Sequence, residues 1–320
     1  MEGTGIIINQ ILILGIVSVV GVIAAKIGVI SEGLRDGIAK LVFNITLPLN
    51  IFTSFTAMQS SGELLRNASM VILYAYLAFF LLFLIGKLSS VLFKMDSKTG
   101  TIHILHTVFG NHGFLGFPLL SALFPDGQGI FYASFVFVAS SSILWTLGVY
   151  MLNTGKRISF KERMIQLFNP NTIAFIVGIT FMLFEIRLPN LLQSSLGGLG
   201  KTTNYLAMLY IGALLAKANF KSIIKHKHVF MLAFNKLLLV PVVMMFLITY
   251  FNALLPFDIS HVAKSVVILQ AGMPCMAIIV ILAKKYNSDD MLATENVFVT
   301  TVLSIATLPF LYFLISLLSS

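Results

Sequence analysis

Charge is what this 320-residue chain has least of: Asp, Glu, Lys and Arg make up 10% of it, against about a quarter in a soluble domain. Too few polar side chains remain to cover a water-facing surface, so lipid is the expected solvent for most of the chain. Cysteine is scarcer still. Cys275 stands alone, which excludes an intrachain disulfide and a cysteine-ligated metal cluster and leaves the redox compartment unread. There is no HExxH, no GxSxG and no pair of membrane-embedded aspartates, so an intramembrane enzyme lacks its parts. The first apolar run follows only residues 1–5, with Glu2 and no Lys or Arg. That is not a signal-peptide n-region, and the run is expected to stay as a helix.

What fills the chain instead is apolar: 58% hydrophobic residues and a mean hydropathy of +0.97. A helix needs about 20 apolar residues to cross a hydrocarbon core of about 30 Å. Ten such runs are separated by charge or turn residues, near Ile6–Ala25, Gly37–Met58, Met70–Phe93, Ile102–Phe124, Ile130–Leu152, Thr172–Leu188, Thr203–Ala216, Val229–Leu254, Val266–Ala283 and Met291–Leu318. The glycines at 197, 198 and 200 make the start of the seventh hard to place.

The net charge of +9 is read by its placement. Lys and Arg collect on the cytoplasmic side of membrane proteins. With the N-terminus outside, sixteen of the 21 basic residues fall in inner loops or adjoining helix ends, among them Lys94, Lys98, Lys156, Arg157 and the Lys217–His228 cluster, which is expected to be an ordinary loop touching anionic lipid. Only Arg66, Arg187, Lys201 and Lys264 fall outside, and Lys236 lies within the eighth run. Both termini are therefore expected to be non-cytoplasmic. Lys236 and Glu295 lie within about 12 Å of the inner ends of their helices, at 1.5 Å per residue, and are expected to snorkel to the interface.

Sliding the chain along itself gives two local matches. At an offset of 159, Asn111-His112-Gly113 falls on Gln270-Ala271-Gly272; at 160, Gly37 meets Gly197 and Asn44 meets Asn204. The matches suggest two five-helix halves, residues 1–160 and 161–320, which run oppositely through the membrane because five is odd. Two of the runs carry helix breakers near their middles: Gly110, Gly113, Gly116 and Pro118 in the fourth, and Gly272, Met273 and Pro274 in the ninth. Freed peptide groups in hydrocarbon cost several kcal/mol unless protein, water or ligand satisfies them, so paired breaks point to a cavity and a transporter's central site. The half-helix N-termini beyond the breaks suit a carboxylate. Kinked helices whose glycines serve only packing are the plainer explanation for either break alone.

GNHGFLGFPLL from Gly110, LPLNIF from Leu47, NPNT from Asn169 and GMPCMAIIVILAKKYNSD from Gly272 together resemble the auxin efflux carrier family, which includes plant auxin carriers and bacterial malate permeases. The resemblance runs over nearly the whole chain. It implies an all-α membrane protein of ten transmembrane helices in a 5+5 inverted repeat with broken crossover helices four and nine, related to bile acid symporters and sodium/proton antiporters. It also implies an elevator motion, with helices 1, 2, 6 and 7 as scaffold and helices 3–5 and 8–10 as the moving body. Asn111 falls on the family's crossover asparagine and is the first choice for a substrate contact, with Gln270 its partner by internal symmetry. His112 could supply a proton or a cationic contact, or merely a helix-to-helix hydrogen bond. Gly113, Gly272 and Pro274 complete the expected substrate loop. Asn44, Asn50 and Asn204 either line the scaffold side of the cavity or act as polar glue. His103 and His106, nearer the cytoplasmic end, are expected at the interface.

The expected function is thus secondary transport of a small organic anion, a carboxylate such as malate or an auxin-like acid, across the plasma membrane. The expected partners are that anion and lipid, with a homodimer as an open option and no nucleic acid. No cofactor is expected, and the coupling ion is left open between H+ and Na+. The alternatives are a sodium-coupled symporter and a non-transporting membrane sensor. A cation/proton antiporter would need a deep acid, and the fifth run has no Asp, Glu, Lys, Arg or His.

Overall fold

The computed structural model describes residues 2–153, 160–216 and 227–318. Among them every regular element is a helix, and extended pairing is confined to one bridge between Gly110 and Cys275. Five helices are long and apolar enough to cross a membrane: Glu32–Ala57, Gly62–Leu92, Gln128–Leu152, His228–Leu254 and Asp290–Leu317. Gly62–Leu92 shows what solvent they expect. Its buried residues include Val71, Tyr74, Ala78 and Leu82, while Leu73, Phe80, Leu84, Leu88 and Leu92 on the other side are exposed. A helix apolar all round is a membrane span or a core helix, and an exposed apolar stripe of this length is unsuited to water.

Three of the long helices carry a π-helical turn, over Val42–Thr46, Leu144–Gly148 and Asn235–Leu239; a fourth turn, His112–Gly116, opens a shorter helix. All but Leu144–Gly148 are followed by a proline at the second position of the next α-helical stretch, namely Pro48, Pro118 and Pro241. Proline has no N–H and its ring pushes away the carbonyl four residues back, so the preceding turn widens to bonds of the i→i−5 kind.

Residues Met1–Ser69, Gly113–Val138 and Ile165–Lys217 form one compact unit. In it the helix Glu2–Lys26 lies along Thr203–Leu215, with Gly21 against the main chain of Leu209 and Gly212 against that of Ser18; a Cβ on either glycine would overlap a carbonyl oxygen. Phe55, Phe131, Phe135 and Phe175 build a core of tilted and edge-to-face rings. The NPNT stretch is a helix start. Asn169 Oδ1 accepts from the N–H groups of Asn171 and Thr172 at 3.0 and 3.2 Å, and Asn171 Nδ2 donates at 3.1 Å to the carbonyl of Phe43, within the π turn.

The seventh run begins earlier than Thr203. A helix Asn190–Lys201 passes through Gly197, Gly198 and Gly200 and continues past Thr202 as Thr203–Leu215. Gly200 reads as a loop residue in sequence but serves close packing, since the main chain of Asn50 lies against it. A further helix, Phe160–Leu167, follows the fifth run. Lys156, Arg157 and most of the Lys217–His228 cluster lie outside the described residues.

The second unit comprises Met70–His112, Ala139–Met164 and Ala218–Ser320. Its interior is polar for a lipid-solvated body: His103, His106, Asn111, His112, Lys236 and Gln270 are all buried.

Candidate functional site

Both broken runs are broken in the structure. The first half of the fourth is the helix Ser97–Val108, which ends where Phe109 turns extended. The first half of the ninth is His261–Ala271, and the chain becomes helical again at Ile278–Lys285. The extended stretches cross within the second unit. Asn111 N–H donates to Pro274 O at 2.7 Å, and Met276 N–H donates to Phe109 O at 3.1 Å, on either side of the Gly110–Cys275 bridge. The breakers explain the crossing locally. Pro274 supplies a carbonyl but has no N–H to lose, and a Cβ on Gly110 would come within 3.0 Å of both His112 Cε1 and Met273 Cβ. The crossing pairs Gly110 with Cys275 and sets Pro274 opposite Asn111 and Met276 opposite Phe109. Gln270, which the 159-residue register sets over Asn111, takes no part in these main-chain bonds.

Gln270 meets His112 instead. Oε1 can only accept, so the His112 Nδ1–H donates to it and the acceptor nitrogen of the ring is Nε2. That Nε2 and the Gln270 amide nitrogen are both buried and have no hydrogen-bond partner. Such orphans are uncommon in a folded interior and are what a polar ligand or ordered water would satisfy. The ring of Phe79 stands edge-on to His112 at 5.9 Å and holds the imidazole plane. Asn111 is 5% exposed. The structure therefore brings together, in one unit, Gly110, Asn111, His112, Gln270, Gly272, Met273 and Pro274. It places Gly113, Gly116 and Pro118 beyond the break, in helical backbone of the other unit. Asn44 is exposed and donates its amide back to Lys40 O at 2.9 Å in its own helix, while Asn204 donates to Ser121 Oγ at 3.3 Å.

Lys236 corrects the snorkelling expectation. It has no exposed surface, and its ammonium donates to Thr107 O at 2.9 Å and Val108 O at 3.3 Å, the last carbonyls before the fourth run breaks. The wide turn Asn235–Leu239, forced by Pro241, carries it there. Snorkelling assumed that a long stem follows its helix to water; here capping a severed helix end is nearer. Glu295 is buried as well, and it lines a cavity of about 370 Å³ with Asp96, Thr99 and His228. His103 and His106 are likewise interior, not interfacial. His103 Nε2 lies 2.7 Å from Ser89 Oγ, and His106 Nδ1 lies 3.3 Å from the Asn296 amide. Neither partner is visible from local sequence, because each is on another helix.

A multi-helix membrane chain with a polar crossing in its interior is the build of a solute carrier, and comparison with known proteins agrees. A family model described as "membrane transport protein" matches residues 6–164 and 154–312. The chain belongs to that family, the auxin efflux carriers to which its motifs pointed, and it is a multi-pass membrane protein. It is 24% identical over 307 residues to an uncharacterized transporter of Methanocaldococcus jannaschii, covering 93% of this chain and 95% of the relative. A second uncharacterized transporter, from Methanothermobacter thermautotrophicus, is 25% identical over 295 residues, covering 90% and 92%.

Proposed function

We propose that this protein is a secondary carrier for a small organic anion, a carboxylate such as malate or an auxin-like acid, and that it has no enzymatic activity. It works through ten transmembrane helices in two inverted halves, residues 1–160 and 161–320, set in the plasma membrane with both termini outside the cytoplasm. Alternating access is of the elevator kind, with helices 1, 2, 6 and 7 as scaffold and helices 3–5 and 8–10 as the moving body. The observation that supports this reading is the buried crossing of the fourth and ninth runs, where Gln270 and His112 keep unpartnered polar nitrogens beside Asn111. The Gln270 amide, a buried donor without a partner, suits a carboxylate.

Removing one hydrogen bond to a charged group costs about 1.5–3 kcal/mol, or roughly 10–100-fold in binding. Asn111→Ala and Gln270→Ala are each expected to cut uptake of labelled L-malate into proteoliposomes by about that factor, Asn111→Ala with little change in melting temperature and Gln270→Ala with a lower one, because it strands the buried His112 Nδ1–H. Undiminished uptake by both variants would remove the crossing from the substrate path. A thermal-shift screen of mono- and dicarboxylates selects the anion, since a ligand that binds only the native state stabilises it.

A further inference from the structure

The chain's second unit holds an ammonium group with no surface exposure and, among the described residues, no ion pair: Lys236. Its two hydrogen bonds run to main-chain oxygens only, those of Thr107 and Val108 at 2.9 and 3.3 Å. These carbonyls end the helix Ser97–Val108 and have no acceptor role further along it, because Phe109 is already extended. They form the negative pole of a half-helix in a dry interior. Clustered carbonyls of this kind, at the C-terminal end of an interrupted membrane helix, are the ligands from which alkali-cation sites are made. A buried charge is costly unless something compensates it, and here the two carbonyls are what compensates.

We propose that Lys236 is a tethered cation. Its ammonium permanently fills a monovalent-cation site formed by the carbonyls of Thr107 and Val108, and this carrier therefore needs no coupling sodium ion. The wide turn ahead of Pro241 is the device that delivers the side chain, and the packing of Pro241 against Gly272, where an added Cβ would lie 3.2 Å from its ring, ties that turn to the second break. The positive charge stays in place throughout the cycle and offsets the negative charge of a carboxylate at the crossing. The sodium independence of transport and this charge offset rest on the carrier reading; the cation site does not.

The test is thermal melting of purified wild type, Lys236→Ser and Lys236→Gln in matched sodium chloride and choline chloride. Wild type is expected to melt at one temperature in both salts. The serine and glutamine variants, with the site vacated, are expected to gain about 2–4 °C in sodium over choline. Stabilisation of wild type by sodium overturns the proposal, as does indifference of both variants to the cation. Failure of both variants to yield monodisperse protein in sodium as well as in choline also overturns it, because a refilled site should rescue them. L-malate uptake into proteoliposomes adds a separate arm: sodium-independent uptake by wild type supports the proposal, and sodium-dependent uptake contradicts it. Absence of uptake in either salt counts against the carrier reading alone, since the melting comparison does not depend on transport.

Discussion

Asp96 shows how much a single side chain sets at the residue scale. It caps the helix Ser97–Val108 by accepting from Lys98 N–H at 2.9 Å and Thr99 N–H at 3.1 Å. Hydrogen bonds from Thr99, side chain and backbone, with a smaller one from Lys98, hold its carboxyl below the usual range. A lowered folded-state value means that the cap stabilises the fold above the unfolded carboxyl pKa of about 3.9 and weakens as pH falls through the folded value. Asp96→Ala should therefore melt about 1–3 °C below wild type at neutral pH. The difference should narrow on acidification below about pH 4. Melting curves across a pH series check this; a constant difference would point to packing rather than charge. At this scale the sequence was a good guide wherever chemistry and backbone coincide. Asn111 and Gly110 announce themselves as amide and glycine in an apolar run, and the structure sets them in the crossing. Lys236, His103 and His106 were misjudged because depth along a helix says nothing about the face on which a side chain leaves it. Their partners, Thr107 and Val108, Ser89 and Asn296, come from other helices.

Among elements, proline has two different effects here. Pro274 sits in an extended crossing, whereas Pro48, Pro118 and Pro241 sit inside helical backbone and widen the turn before them. Sequence inspection marked Pro118 as a breaker of the same kind as Pro274, yet the backbone leaves the helix nine residues earlier, at Phe109. A proline near a helix start costs little, so only its neighbours decide which outcome follows. The wide turn at Asn235–Leu239 has a measurable role. Replacing Pro241 by Ala restores an N–H and allows a regular turn, which changes the rotational phase of Lys236 relative to the rest of its helix. Pro241→Ala is expected to melt below wild type, because the displaced Lys236 ammonium loses the carbonyls of Thr107 and Val108, and to lose most of its L-malate uptake. Equal uptake would show that the phase of this turn is immaterial.

For the molecule as a whole, composition alone established the solvent, and the spacing of apolar runs located every long helix; the boundaries went astray where glycine serves packing, at Gly197 to Gly200. Orientation rests on the placement of Lys and Arg and invites a direct measurement. In a Cys275→Ser background, Ser61→Cys should react with a membrane-impermeant maleimide added outside intact cells. Lys98→Cys should react only after permeabilisation, and the reverse pattern would invert the assignment. The self-match at offset 159 sets Gln270 over Asn111 by side-chain similarity, whereas the crossing is stitched by peptide groups.

That stitching has an evolutionary corollary. Apart from proline at 111 or 276, no replacement of a side chain deletes the two N–H donors that hold the strands together. The side chains around the crossing can therefore change while the joint itself endures, much as a lock can be re-keyed without changing the door.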